Sequence, residues 1–383
     1  MTYLSRLFVG LVCAASTLYT IVNLTQRTLT RTAIWTDFAV FHVTVKRWLD
    51  GLPMYGSNLP MFGAPRLPEP VNFNPPQFHL LVLPFASLRL EQAVLLWILV
   101  SLIVGGLCAV IVVRTLRLRW SLLPALIAIT LVVNSAALSS TLWLGQMSLF
   151  LALPVTLAWR AHRLGRWNTA GAWMGLAASI KPFLFIVFPY LLFKRQWRAC
   201  VYGALAWTGS FVLGAAVFGH DTLERWVHAA VWPTWQANLL NASFHGYVGR
   251  VMFEWPAQHV ATIGSAVGVL ATIWLARLRD ADLAWALLMT GALLWAPLGW
   301  VYYVWFVMPP IAALVAERRL PRAAWLLAIP FVWPINSSPV RITGTFLDAQ
   351  LMLSIYFWGL LALWLLLSSS AMRPPPIQDD PAV

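Results

Sequence analysis

From Gln92 to Val113 the chain runs without a single charged residue, and the run is closed by Arg114, Arg117 and Arg119. A helix of that length spans ~30 Å, the thickness of a bilayer's hydrocarbon core. Inside lipid only a helix or a closed barrel can satisfy every backbone N–H and C=O from within. Comparable runs recur at about Leu4 to Leu24, Leu122 to Leu138, Ala199 to Phe218, Pro256 to Leu275, Leu283 to Leu298, Tyr302 to Val315, Trp325 to Ile335 and Phe346 to Leu367. With 60% of the residues hydrophobic and 10% charged, one water-soluble core could not hide this surface. The expected fold is an all-α polytopic membrane protein with about 10–12 transmembrane or broken helices in one integral-membrane domain over residues 1–371. The first run lacks a small-residue cleavage site and is read as a retained helix.

The formal net charge of +13 does not mark a nucleic-acid protein. Its Lys and Arg fall in short clusters between apolar runs, the pattern of the positive-inside rule, rather than in one patch. Clusters at Arg114 to Arg119, Arg160 to Arg166, Lys194 to Arg198, Arg277 to Arg279 and Arg318 to Arg322 are assigned to the cytoplasmic side. The Gly145-Gln146 turn then faces outside. The main outer loops are about residues 25–90, rich in proline, and 220–255; residues 372–383 form a disordered cytoplasmic tail. Cys13, Cys108 and Cys200 sit in apolar runs and read as small core residues.

Two local patterns go beyond simple spans. Phe38, Phe41, Val45, Trp48 and Leu49 fall at near-helical spacing, as in a short helix lying in the membrane interface from Asp37 to Leu49. The segment Asn168 to Phe193 has basic clusters at both ends, which one crossing would leave on opposite sides of the membrane. Its interior Lys181-Pro182 breaks the helix, so two short halves can rise and return with Lys181 at the tip.

Asp37, between Thr36 and Phe38 at the end of the first long segment, is costly unless used. A partly desolvated carboxylate facing a cavity can take the proton of an attacking hydroxyl; the competing reading is a helix N-cap. Lys181 suits the phosphate of an anionic lipid or, equally, head groups reached by snorkelling. Arg250, after Asn241, Ser243, His245 and Tyr247, is a second anion contact or an exposed loop arginine. The run Trp295 to Trp305, with Trp300, Tyr302 and Tyr303, is a sugar- or prenyl-contacting wall or an interfacial aromatic belt. The histidines show no metal-like pairing, and there is no nucleotide-binding loop, so neither metal nor cofactor is expected.

Taken in order, Asp37-Phe38, Gly51 to Tyr55, Pro75-Pro76 with Pro84, Gly145-Gln146, Gly171 with Gly175 and Ile180-Lys181-Pro182, Asn241-Ala242-Ser243 with Arg250, and Pro297 with Trp300 resemble glycosyltransferase family 87. These are polytopic enzymes of the GT-C class that use polyprenyl-phosphate sugars. The resemblance implies a membrane glycosyltransferase moving a sugar from a polyprenyl-phosphate donor to a glycolipid or glycan acceptor, with inversion. The sugar is mannose by default, and the enzyme a hexosyl- or pentosyltransferase of the cell envelope. It implies Asp37 as base and Lys181 with Arg250 on the donor phosphate, with Gln146, Asn241, His245, Trp300, Tyr302 and Tyr303 as substrate contacts. The site would face the periplasmic or extracellular side of the cytoplasmic membrane, among membrane lipids. Members often have histidine soon after the Trp300 tryptophan, where this chain has Tyr302 and Tyr303, which puts the sugar's identity in doubt. The alternative is a transporter or lipid-sugar flippase, because broken helices also line transport paths.

Overall fold

The computed structural model describes residues 3–30, 36–55, 72–118, 121–229, 237–252, 256–332 and 350–369. Trp35, Pro60, Pro65, Pro68, Pro70 and the tail 372–383 therefore lie outside the described residues. The protein is an all-α polytopic membrane protein. Among the described residues there is no strand, only an isolated antiparallel bridge between Asn241 and Trp300.

Among the described residues four helices are long and apolar enough to cross a bilayer: α1 (Tyr3–Thr30), α3 (Leu90–Thr115), α9 (Trp197–Phe218) and α12 (Pro256–Arg277). Between α1 and α3 lies α2 (Asp37–Leu49), at the bounds expected of the interfacial helix. The third expected span is instead two helices, α4 (Leu122–Val133) and α5 (Ala136–Leu144), bent by 50° at Asn134-Ser135. Ser135 caps the second of them through Leu138 N–H. α6 (Ser148–Arg163) carries the chain back. The expected 10–12 transmembrane or broken helices thus become continuous spans plus shorter, broken pieces. Among the short pieces α13 (Ala281–Leu294) is covered by protein, every residue from Asp282 onward being buried.

The segment after α6 folds as its Lys181-Pro182 dipeptide dictates. α7 (Trp167–Ile180) stops at Lys181, a 3-10 stretch Pro182–Ile186 turns the chain, and α8 (Val187–Phe193) returns. Residues 165–169 and 195–198 line the same shallow basin, so both ends of the segment lie at one pole and Lys181 at the other. α9 then rises parallel to α7 with their backbones touching. A Cβ on Gly171 would sit 2.0 Å from Ala199 O, and one on Gly175 would sit 2.0 Å from Gly203 O. Small residues spaced by four let two membrane helices approach this closely.

After α9 come α10 (His220–Ala229) and α11 (Phe244–Val251). The expected span from Tyr302 to Val315 is a 3-10 stretch Val301–Phe306 followed by α14 (Met308–Ala316). α15 (Ile329–Val332) and α16 (Ile355–Ser368) complete the bundle. One core unites these pieces around the fully buried Trp97, Trp159, Trp285 and Tyr190.

The two poles differ in charge chemistry. At one, Arg163 pairs with Asp282 and Glu317, Arg319 pairs with Asp280, and Arg279 donates to Ser368 O at 2.7 Å. Trp159 Nε1 adds a hydrogen bond to Asp282 at 2.9 Å. The three arginines belong to the basic clusters predicted to be cytoplasmic. The opposite pole collects α2, the Gly145-Gln146 turn, Lys181 and the aromatic run at residues 300–303.

Candidate active site

α2 places Asp37 at its first turn, and the capping position is already filled. Thr36 is the N-cap, its hydroxyl accepting Ala39 N–H at 3.1 Å. The N-cap reading of Asp37 thus falls, and its carboxylate is free to face a cavity. Phe38, Phe41 and Val45 pack inward; Phe38 lies 5.0 Å from the Trp97 ring and Phe41 meets Phe78 edge-on at 4.8 Å. These contacts anchor α2 and with it the carboxylate.

The Gly145-Gln146 turn supplies the next group. Gly145 adopts φ +64°, and a Cβ there would sit 2.7 Å from Phe38 Cβ, so a side chain is excluded on both counts. Trp97 Nε1 donates to Gly145 O at 2.9 Å and fixes the turn. Gln146 Nε2 then donates to Asp37 Oδ2. Burial pushes the Asp37 carboxyl up to about 6, opposed by the Gln146 hydrogen bond and by the positive charge of Lys181. A carboxyl poised there is a usable base near neutral pH.

Lys181, at the hairpin tip, lines the same cavity as Asp37. Its Nζ donates to Asn74 Oδ1 at 2.9 Å and lies 5.7 Å from the centroid of the Tyr303 ring. Among the described residues no carboxylate pairs with it. Gln77 Nε2 donates to Ser179 O at 2.7 Å, tying the loop before α3 to the hairpin.

The remaining wall is built from two loops clamped together. Asn241 Oδ1 accepts Gly299 N–H at 2.9 Å and Ser243 N–H at 3.2 Å, and its Nδ2 donates to Pro297 O at 3.1 Å. The resulting cavity of about 290 Å3 is lined by Asp37, Gln146, Lys181, Asn72, Asn74, Asn238, Trp300, Tyr302 and Tyr303, among others. Trp300 stacks on Tyr302 with ring centroids 5.8 Å apart, so this pair is a cavity wall rather than a belt alone.

Three expected site residues stand behind the wall instead of in it. Arg250 is 5% exposed, which rules out an exposed loop arginine. Its Nη1 donates to Asn238 O at 2.9 Å and Asn241 O at 3.0 Å, and its Nε donates to Ser354 Oγ at 3.0 Å. It therefore holds the wall loop and does not line the cavity. Asn241 does the same through its bracket, and His245 bonds Ser265 Oγ through Nδ1 at 2.9 Å. Conversely, Asn72, Asn74 and Asn238 were not singled out from sequence. The one local signal is two asparagines directly before Pro75-Pro76, which alone reads as turn chemistry.

The family model for glycosyltransferase family 87 matches residues 72–301, more than half of the chain. The chain belongs to that family. It is a glycosyltransferase of multi-pass membrane architecture. The match contains Gln146, Lys181, Arg250 and Trp300, begins after Asp37 and ends just before Tyr302 and Tyr303. The chain is 26% identical over 335 residues to the polyprenol-phosphate-mannose-dependent alpha-(1-2)-phosphatidylinositol mannoside mannosyltransferase of Mycobacterium tuberculosis, covering 80% of this chain and 76% of that protein. It is 24% identical over 392 residues to the alpha-(1->3)-arabinofuranosyltransferase of Corynebacterium glutamicum, covering 91% of this chain and 87% of that protein. No solved structure matches the chain.

Proposed function

We propose that this family 87 glycosyltransferase moves a sugar from a polyprenyl-phosphate donor to a hydroxyl of a glycolipid or glycan acceptor by one inverting displacement. The observation that carries the reading is a cavity lined by both a carboxylate and an ammonium, with no acid in a salt bridge to the ammonium among the described residues. Asp37 takes the proton of the acceptor hydroxyl as its oxygen forms the new bond to the anomeric carbon. The bond from that carbon to the phosphate oxygen breaks on the opposite face, and the electron pair leaves with the polyprenyl phosphate. Lys181 stabilises the charge building on that leaving group. The donor already carries its leaving group, so the reaction balances with these two substrates.

Asn238 and Gln146 present amides to sugar hydroxyls, and Trp300 with Tyr302 offers flat apolar faces to a sugar ring or prenyl chain. Arg250, Asn241 and His245 serve by holding this wall. The basic clusters at the opposite pole support a site facing the outer side of the cytoplasmic membrane. The two relatives' names specify different sugars, a mannose and an arabinofuranose, so the donor sugar is a hexose or a pentose, with mannose the first to test. In proteoliposomes the protein should convert labelled polyprenyl-phosphate mannose or arabinofuranose into a glycosylated acceptor of inverted anomeric configuration. Retention of configuration would refute the single displacement, and sugar-lipid movement across the bilayer without a covalent product would favour a flippase.

A further inference from the structure

His79, buried and outside the cavity, belongs to the site through a chain of hydrogen bonds whose direction is fixed at both ends. At one end is the carbonyl of Pro75, which can only accept; His79 Nδ1 lies 3.2 Å from it and must carry the proton. At the other end is the Lys181 ammonium, which can only donate; it does so to Asn74 Oδ1 at 2.9 Å. Between them, Asn72 Nδ2 lies 2.7 Å from His79 Nε2, and Asn72 Oδ1 lies 3.1 Å from Asn74 N and 3.4 Å from Asn74 Nδ2. With Nδ1 protonated, Nε2 is the acceptor, so the Asn72 amide must point its NH2 at the ring and its oxygen at Asn74. Asn74 then turns its own NH2 toward Asn72 and its oxygen toward Lys181.

The flanking bonds agree with this sense. Asn72 Nδ2 also donates to Thr44 Oγ1 at 3.0 Å, whose proton goes to Val40 O at 2.7 Å. Tyr55 OH donates to Asn74 O at 2.7 Å. Burial holds the His79 imidazole down to about 3, so it is neutral and has one accepting nitrogen at any working pH. A protonated ring would offer two donors and face the Asn72 NH2 with like polarity.

We propose that His79 is a positioning residue for the donor, setting through Asn72 and Asn74 the orientation in which Lys181 presents its remaining N–H groups to the donor phosphate. The inference rests on the phosphate role proposed for Lys181. The Asn74 N–H and Thr44 Oγ1 hold the Asn72 amide in the same sense, and the histidine adds the shortest of its bonds, at 2.7 Å, which stiffens that orientation.

The test is steady-state transfer by His79→Leu, His79→Gln and Lys181→Met, alone and with His79→Leu combined with Lys181→Met. Folding is checked by thermal midpoint. The expected result for His79→Leu is a rise of about tenfold in donor KM with acceptor KM unchanged. Gln, which can place an oxygen near the former Nε2, should restore most of the loss. In the Lys181→Met background the same His79 change should cost nothing further, because the relay then ends on no cation. If the two losses multiply, or if donor and acceptor KM rise together, the relay is overturned while the phosphate role of Lys181 stands. If Lys181→Met alone leaves donor KM unchanged, the phosphate role itself fails. Should His79→Leu not fold, Asn72→Leu cuts the relay one link on and carries the same expectation.

Discussion

Replacing Asp37 by Asn should make the protein more stable while removing its base. The Asp37 carboxyl ionises near 6 in the folded chain against 3.8 for a free side chain, because burial disfavours the charge. The sign follows from linkage: the native state binds this proton more tightly than the unfolded state does. Its contribution to stability is therefore greatest below about 3.8 and is lost as pH rises through about 6. The shift is worth up to about 3 kcal/mol at 1.36 kcal/mol per unit, and less to the extent that cavity water reaches the half-buried carboxylate. Asn keeps an oxygen that can accept from Gln146 Nε2 and carries no charge to bury. The thermal midpoint in detergent should rise by as much as about 3–4 °C above pH 6.5, at about 1 °C per kcal/mol for a chain of this length. The gain should vanish toward pH 4. A variant no more stable than wild type at pH 7.5, or a gain that does not change with pH, would show that the fold does not desolvate this carboxylate, and the reasoning behind its tuned basicity would fail.

Gln146→Leu removes the hydrogen bond that favours ionised Asp37, so the acidic limb of the pH–rate profile should move upward by about one unit; an unmoved limb would detach Gln146 from the base. Asn74→Asp places a carboxylate against the Lys181 ammonium and neutralises it, and transfer should fall by about 100-fold or more, judged against the cost of losing one preorganised charge. Gly175→Ala drives a methyl to 2.0 Å from Gly203 O, so α7 and α9 must part; a cost of about 3 kcal/mol or more should appear as loss of monodisperse protein on size exclusion.

Much of the architecture was legible because it follows from strong, local physics. Proline after Lys181, between two basic clusters, leaves few alternatives to a hairpin, and the apolar spacing of Phe38, Phe41 and Val45 sets the buried face of α2. Apolar runs did not reveal where α4 and α5 part at Asn134-Ser135, or that Val301–Phe306 is a 3-10 stretch, since a helix buried in protein needs no continuous length. At the site, Asp37, Lys181, Gln146, Trp300, Tyr302 and Tyr303, all singled out from sequence, line one cavity. Arg250, Asn241 and His245 stand behind it, because residue type announces a cation or an amide but not whether backbone carbonyls will claim it first. Asn74 was silent for the converse reason, because its meaning lies in Lys181, 107 residues along the chain, and Asn72 and His79 take theirs only from their bonds toward Asn74.

The most direct test of Asp37 as the base is the single-turnover rate of sugar transfer from a polyprenyl-phosphate donor by wild type and Asp37→Asn, at equal amounts of folded protein in the same liposomes. Wild type should transfer at a rate that rises with pH through about 6, and Asp37→Asn should lose about 1,000-fold or more while still binding donor. Transfer by Asp37→Asn within a factor of a few of wild type, with the same pH dependence, would contradict the account.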